Sequence, residues 1–250
     1  MRAGPGAVLM LLAALSPALA QETAPHIRPP ARPVVAETPA PEPEPEPAPE
    51  PSGPGREQFA ESDFDHSACL LALSRLGVTY EALPPITDPD RSECGIDRPV
   101  RVTEVRPGVV LPGGAEMRCP VARSLAFWTR DFVAPAAARL PGAPRLTGYR
   151  PGSTYQCRGR IGGAGESGRL SEHALGNAID IAAFTFADAP DLPIAPREGS
   201  GSAEMAFQHA VRATACLFFT TVLGPGSDGA HEDHLHLDMA QRRGDWRLCQ

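Results

Sequence analysis

The sequence predicts an α+β domain built on a small, mostly antiparallel sheet that helices flank. Three observations lead to this fold class. Helical and strand-like apolar patterns both occur, they are interspersed along the chain, and the short strand-like segments lie late. Residues 58–250 are expected to form one domain of about 190 residues, a length that suits a single hydrophobic core.

Three helices are expected, and each has a start or a stop signal. Gly77 stops the first, Pro120 opens the second and Pro135 ends it, and Gly224-Pro225 closes the third. The third is the clearest because apolar side chains recur along it at helical spacing. The first predicted helix is capped by Asp65 or Ser67 and runs to residue 76. The second covers residues 120–134, and the third covers residues 203–223.

Four strands are expected between and after these helices. Each has a length that is typical of a strand. The last of them carries His234 and His236. The predicted strands cover residues 100–105, 145–150, 178–186 and 234–239.

The first 57 residues are expected to lie outside the folded domain, in two consecutive segments. Residues 1–20 have the order of a cleaved secretory signal, with Arg2, an apolar run at 7–15 and a small-residue cleavage site. That run is too short to cross a bilayer, which takes about 20 residues. Residues 21–57 are rich in Pro and Glu and are expected to be disordered, either as a semi-rigid spacer or as a dispensable tail. The mature chain is therefore expected in the periplasm or cell envelope, with no membrane span.

Charge and cysteine content narrow the class of protein further. The formal net charge is -7, which is the wrong sign for a nucleic-acid binder or for a protein that binds an anionic membrane surface. The six cysteines form an even set in a chain that is expected to be exported, which favours disulfides over metal thiolates. Their pairing stays open, and Cys216, on a helical apolar face, is the best candidate for a buried free thiol.

Four of the seven histidines fall in two short segments that also carry carboxylates. One segment holds His173 and Asp180, and the other holds His231, His234 and His236. Where thiolates are absent, zinc is bound by imidazole nitrogen and carboxylate oxygen, and a catalytic zinc uses three protein ligands. The two segments therefore predict a Zn²⁺ site.

Strand and turn geometry is compatible with this prediction. Side chains two apart on a strand share a face, so His234 and His236 point the same way. Asp180 lies on another predicted strand, among alanines that leave room for a metal and a substrate. Gly176 supplies the turn that brings His173 back to the same side. One ligand would come from a loop and two from adjacent strands.

Both segments also resemble known signatures. Residues 171–180 match S-x-H-x-x-G-x-A-x-D, the first signature of the zinc D-Ala-D-Ala carboxypeptidases and of the hedgehog-type zinc domains related to them. The second segment, His231-x-x-His234-x-His236, is similar to that of the penicillin-insensitive murein endopeptidases.

The likeness extends beyond the two segments. Gly148-Tyr149-Arg150 is similar to an element that precedes the first signature in the carboxypeptidases. The region from about residue 60 to 250 resembles the bacterial extensin-like C-terminal domain. Before residue 140 this looser extensin-like resemblance stands alone.

The resemblance implies a role for each site residue. His173, Asp180 and His236 would be the zinc ligands. His234 would stabilise an oxyanion or transfer a proton, and Arg150 would contact a substrate carboxylate or a developing negative charge.

The general base is left open by one departure from the carboxypeptidase pattern. Those enzymes place a Glu three residues before the last ligand, whereas this chain has Asp233, which is one methylene shorter. Asp233, His231 and His234 all remain candidates for the proton acceptor.

The function that the resemblance implies is that of an exported zinc metallopeptidase, either an endopeptidase or a carboxypeptidase. Its substrate would be the peptide stem or cross-link of peptidoglycan. One alternative is a non-catalytic cell-wall or protein-binding module that keeps a structural zinc. Another is an interaction domain stabilised by zinc or calcium, in which Asp228, Glu232 and Asp233 bind a hard cation.

Overall fold

A mixed sheet of nine strands is the centre of the fold in the part of the chain that the structure describes. The structure is a computed structural model, and it describes residues 55–162, 165–197, 199 and 201–250. The predicted signal lies outside the described residues, as does the predicted linker up to residue 54. The architecture is α+β, which confirms the predicted fold class.

The strands in chain order are β1 Thr79–Ala82, β2 Ile86–Thr87, β3 Gly95–Ile96, β4 Pro99–Arg106, β5 Val109–Arg118, β6 Arg145–Pro151, β7 Gly159–Gly162, β8 Gly165–Leu170, β9 Ala178–Ala187, β10 Leu192–Pro193, β11 Thr221–Leu223, β12 Leu235–Asp238 and β13 Leu248–Cys249. The helices are α1 Asp63–Leu76, α2 Cys119–Trp128, α3 Ala134–Ala137 and α4 Ala203–Ala215. No helix of the described residues is long and apolar enough to cross a membrane.

The strand order of the main sheet is β1-β4-β5-β6-β9-β12-β11-β13, and β10 also pairs with β9. The prediction of a mostly antiparallel sheet was wrong, because the sheet is mixed: β5 pairs with β6 in parallel, and so does β11 with β13. Strands are also not confined to the later part of the chain. The long early hairpin of β4 and β5 forms one side of the sheet.

The first predicted helix is confirmed with a different start. Its N-cap is Ser62, whose side-chain oxygen accepts a hydrogen bond from the Asp65 amide at 3.1 Å. Neither Asp65 nor Ser67 is the cap. Gly77 ends the helix in the left-handed conformation at φ 73°, as the stop signal predicted.

The second predicted helix runs past Pro135, so its expected end was wrong. After α2 a π-helical turn, Thr129–Val133, leads directly into α3. Pro135 lies in the first turn of α3. A proline is tolerated at this position because its fixed φ of about −65° is already that of a helical turn.

The third predicted helix is shorter than its apolar spacing indicated. It ends at Ala215, and residues 221–223 instead form β11, which pairs with β12. Thr220, Thr221 and Val222 are β-branched and favour a strand over a helix. This difference is functionally relevant because β11 forms one wall of the cleft described below.

Trp128 lies at the centre of the core between α2, α4 and the sheet. Its ring stacks on Tyr149 and meets Phe184 and Phe219 edge to face, with centroids 6.3 to 6.4 Å apart. Its indole N–H donates to the carbonyl of Val211 on α4 at 3.1 Å. Tyr149 is fully buried in this core, so it does not line a cleft.

All six cysteines are paired, which confirms the predicted disulfides. Cys216 is therefore not a free thiol. The bridge between Cys216 and Cys249 joins the residue that follows α4 to β13. The pairs are Cys69–Cys119, Cys94–Cys157 and Cys216–Cys249.

Candidate metal centre

Two central strands place one histidine directly opposite one aspartate. His236 on β12 is the antiparallel partner of Asp180 on β9. The neighbours Ile179 and Ile181 are fully buried in the core. Because side chains alternate between the faces of a strand, Asp180 points away from that core and towards the opposite side of the sheet.

A tight turn brings His173 to the same place. Ser171 caps the single helical turn Glu172–Leu175, and its side chain accepts from the His173 amide. Gly176 ends the turn at φ 60°, and a Cβ at this position would overlap the Ile96 side chain. This position therefore needs glycine both for its backbone conformation and for space.

The turn and the two strands bring together one atom from each of three residues. His173 Nε2 lies 3.2 Å from Asp180 Oδ1 and 3.1 Å from His236 Nδ1. Asp180 Oδ1 and His236 Nδ1 are 3.0 Å apart. All three side chains are buried, and the group can hold a metal ion. The sequence had placed His173 on a loop and Asp180 and His236 on adjacent strands; in the structure His173 lies in a single helical turn, and the other two lie on paired strands.

In each of the two triad histidines, the ring nitrogen that points away from the triad contacts a hydrogen-bond acceptor. His173 Nδ1 lies 2.6 Å from the Thr154 carbonyl oxygen, and His236 Nε2 lies 3.0 Å from Asp238 Oδ2. A carbonyl and a carboxylate accept hydrogen bonds, so both of these nitrogens carry the proton in the neutral rings. The other two nitrogens then face Asp180 with their lone pairs. Three lone-pair donors at about 3 Å repel one another unless a cation or a proton lies between them.

The close contacts within the triad also shift the pKa values of its side chains when no metal is bound. Burial acts to raise the pKa of Asp180, but the hydrogen bonds to His173 and His236 hold it well below its usual range. Burial acts to lower the pKa of His236, and the hydrogen bonds to Asp180 and Asp238 raise it to about 9. Without a metal, a proton on His236 therefore takes the place of the cation.

Two further histidines border the triad, and each has a carboxylate partner. His234 Nδ1 lies 2.9 Å from Asp233 Oδ1, and its Nε2 lies 3.7 Å from Asp180 Oδ1. His231 Nδ1 lies 2.7 Å from Asp228 Oδ1, and burial lowers the pKa of His231. In both pairs the Nδ1 proton is donated outward, which leaves Nε2 as the acceptor nitrogen.

The triad opens into a cleft of about 440 Å³. One wall is formed by Thr221 and Leu223 of β11, and the His173 turn lies among the other lining residues. Several polar side chains line the cleft as well, among them Arg158, Arg160 and Arg242. A volume of this size accommodates a small ligand or a short peptide segment.

A comparison with known proteins places the chain in a family. The model of the extensin-like protein C-terminus matches residues 67–250. The chain belongs to the extensin-like protein C-terminus family. No curated protein and no solved structure matches the chain. The match confirms the extensin-like part of the resemblance and covers the whole metal centre, while the relation to zinc carboxypeptidases and endopeptidases stays a prediction.

Not all predicted site residues meet at the triad. Arg150 on β6 has a half-exposed side chain whose Nη1 lies 3.7 Å from Asp191 Oδ2. It is not among the described residues that line the cleft. The Asp233 side chain is 90% exposed and contacts His234. Asp233 therefore orients a histidine in this structure and does not itself face the triad.

The alternative hard-cation site is not assembled. Asp228 bonds to His231 and to the Ala230 amide, while Asp233 bonds to His234. Within the described residues, the group that meets the criterion of three close ligand atoms is the His173, Asp180 and His236 triad.

Sequence reasoning missed Asp238 and Thr154, which hold the two histidines of the triad. The signal for Asp238 was available, since continuing the alternation from His234 and His236 by two residues reaches it on the same face. Thr154 acts through its backbone carbonyl, which any residue type supplies. The sequence therefore contained no signal for Thr154.

Proposed function

We propose that this domain is a zinc metallopeptidase that hydrolyses amide bonds in the peptide stems or cross-links of peptidoglycan. The observation that carries the proposal is the buried triad. Two imidazole nitrogens and one carboxylate oxygen lie 3.0 to 3.2 Å apart, at the floor of an open cleft. Two histidines and one carboxylate form a ligand set that is known from catalytic zinc sites.

The donor set fits zinc better than calcium or magnesium. Ligand distances of about 2.0–2.1 Å in a tetrahedral site place neighbouring donor atoms about 3.3 Å apart, close to the separations observed here. Calcium takes about 6–8 oxygen ligands and magnesium is also bound by oxygen, whereas this triad offers two nitrogens. His173, Asp180 and His236 would hold the ion, with Thr154 and Asp238 fixing the two imidazoles.

When bound in such a site, zinc polarises a carbonyl group and makes water a stronger nucleophile near neutral pH. His234 is then the side chain best placed to accept the proton of the attacking water. Its Nε2 is directed towards the triad and lies 3.7 Å from Asp180 Oδ1. Asp233 holds its Nδ1 at 2.9 Å and so fixes the tautomer in which Nε2 is the acceptor.

The same histidine can return the proton to the leaving amine. Protonated His234 keeps its bond to Asp233 through Nδ1 and presents Nε2–H to the cleft. His231 is the second candidate acceptor, because its ring centroid lies 5.2 Å from that of His234 and burial lowers its pKa. Asp233 would support catalysis by orienting His234, and His234 would take the role of general base that the resemblance assigns to the Glu position.

Peptidoglycan as the substrate is supported by the resemblance and by the disulfides. The two histidine segments resemble those of enzymes that act on the peptide part of this polymer. Three disulfides are typical of a protein that folds in an oxidising compartment outside the cytoplasm. The proposed location is accordingly the periplasm or the cell envelope, where the polymer lies.

The test is digestion of purified peptidoglycan by the mature chain, with and without a chelator, followed by mass spectrometry of the fragments. Peptidase action produces fragments with new amine termini, and their formation stops with chelator and returns when zinc is added. Absence of cleavage by a chain that binds one zinc per molecule would refute the enzyme and support the non-catalytic zinc module.

The metal assignment has its own test. His236→Ala removes one of three ligands and should abolish stoichiometric zinc, measured by metal analysis after gel filtration. His209→Ala is the matched control, because His209 lies exposed on α4 away from the cleft. Full zinc retention by His236→Ala would refute the assignment.

A further inference from the structure

Among the residues whose side chains the structure describes, two arginines of the cleft have no acidic partner. Arg158 donates through Nε to the Gln156 side chain and through Nη1 to the Gly159 carbonyl. Arg242 donates through Nη1 to the Thr220 carbonyl and through Nη2 to the Thr221 hydroxyl. All four acceptors are neutral. Among the described residues, no carboxylate oxygen lies within 4.0 Å of either guanidinium.

The acidic side chains of the same cleft are already used. Glu172 is buried and accepts from Arg160 at 2.9 Å and from Asn177 at 2.7 Å. Asp238 is buried and bonds to His236 and to the Ala240 amide. No described carboxylate of the cleft therefore pairs with the positive charges of Arg158 and Arg242, although the chain as a whole carries a net charge of -7.

Both guanidinium groups are held and still have donors to offer. A guanidinium has five N–H donors, so two bonds to neutral acceptors leave three donors for a ligand. The Arg242 guanidinium also lies 5.7 Å from the ring centroid of Trp246. A fixed, planar, permanently charged fork matches the two oxygens of a carboxylate.

We propose that Arg158 and Arg242 bind carboxylate groups of the substrate, so that this cleft selects an acidic peptide over a neutral one. The inference rests on the proposed peptidase function for the nature of the ligand, and it deepens that function by naming the chemistry that is recognised. It also assigns to these two residues a contact with a substrate carboxylate, which is one of the two roles that the resemblance implied for Arg150.

The test is a binding measurement with two forms of one ligand. The ligand is a stem peptide released from purified peptidoglycan, used either intact or with its carboxylates converted to carboxamides. The protein is the zinc-loaded mature chain with His234→Ala, so that the peptide is not consumed during calorimetric titration. Amidation should weaken binding at least tenfold, because it removes the charge that the arginines recognise.

The double variant Arg158→Gln and Arg242→Gln, in the same background, should bind both forms within about twofold of each other, since neither fork remains to distinguish them. Arg247→Gln is the matched control. Arg247 also donates only to neutral carbonyls, those of Cys216 and Phe219, but it does not line the cleft. This control should keep the full discrimination.

A variant that loses its fold would lose its zinc, so metal content is measured on every sample. Arg242→Lys with Arg158→Lys keeps the charges and should recover part of the discrimination. The inference would be overturned if the His234→Ala chain bound the intact and the amidated peptide with equal affinity. It would also be overturned if the double arginine variant still preferred the intact peptide by the full factor. Because binding is measured, this result stands whether or not the digestion of peptidoglycan shows cleavage.

Discussion

His236 and Asp238 lie two residues apart on β12, and the ring Nε2 of the first is 3.0 Å from Oδ2 of the second. Residues at this spacing share a face of the strand, so the contact is built into the strand itself. Asp238 accepts the Nε2 proton and leaves Nδ1 of His236 directed at Asp180. The carboxylate therefore determines which nitrogen of the ring is available to a metal.

Asp238→Asn should weaken zinc binding by about 10–100-fold, the usual cost of losing an outer-shell partner of a ligand histidine. The amide can donate to Nε2, which favours the tautomer whose proton is on Nδ1 and blocks the ligand atom. Competition with a chromophoric chelator measures the affinity. Asp245→Asn, at an exposed position near the C-terminus, makes the same chemical change and should bind zinc normally. Equal affinities of the two variants would contradict the proposed role.

The contact between Asp233 and His234 leads to a prediction about catalysis. His234→Ala should lower kcat by about 10²–10⁴-fold if His234 is the general base, and it should leave zinc in place. Asp233→Asn should cause a smaller loss, because the base remains but its tautomer is no longer fixed. The rates are measured by release of amine-terminated fragments from peptidoglycan.

Glu232→Gln is the control for Asp233→Asn, since it neutralises the adjacent carboxylate. A kcat unchanged in His234→Ala would shift the role of the proton acceptor to His231. If Asp233→Asn were as inactive as His234→Ala, with metal retained, Asp233 would have a larger role than orientation.

The sequence predicted the centre of the site better than its surroundings. The alternation along β12 and the Gly176 turn both follow local rules of backbone geometry, so the spacing of His173, Asp180 and His236 predicted a real cluster. Arg242 could not be placed in this way. Its position in the cleft depends on β11, and the prediction assigned that segment to a helix because its apolar residues also fit helical spacing.

Non-local contacts also decided the differences in the fold. Residues 221–223 are a strand because they pair with β12 on one side and β13 on the other, and neither partner is close in sequence. Arg150 illustrates the same limit. The resemblance of a three-residue element implied a role for Arg150, but its side chain lies beside Asp191 and is not among the described residues that line the cleft.

The metal-free chain should lose stability as the pH rises from about 6.5 to 9. Its neighbours Asp180 and Asp238 raise the pKa of His236 to about 9, against about 6.5 for an unfolded histidine. The protonated ring thus stabilises the fold below pH 6.5, and this contribution of up to about 3 kcal/mol disappears as the pH passes 9. His173 and His231 are the other titratable groups beside the ring.

Urea denaturation at pH 6 and pH 10, with chelator, measures this change in the free energy of unfolding. The zinc-loaded chain holds His236 as a neutral ligand and should lack this component of the pH dependence. His236→Gln should also reduce it in the metal-free chain. A pH dependence that neither zinc nor this substitution alters would show that the ring is not the group responsible.

The disulfide between Cys94 and Cys157 lies beside the turn that carries His173. Cys157 lies three residues after Thr154, whose carbonyl holds His173. Cys94 packs in a small buried cluster with Leu170, Ala174 and Leu175, which surrounds the same turn. The bridge therefore restrains both the acceptor and the turn that carries the ligand.

Replacing Cys94 and Cys157 by Ala should lower the free energy of unfolding and also weaken zinc binding. Closing a loop of 63 residues is worth about 4 kcal/mol in chain entropy. The control is the Cys216 and Cys249 pair replaced by Ala. Its loop of 33 residues predicts a similar loss of stability, but neither cysteine belongs to the cluster of described residues at the turn. Denaturation measures the stability, and zinc affinity below the unfolding transition separates the two variants. A control that loses as much zinc affinity would show that global stability, and not the local restraint on the His173 turn, maintains the site.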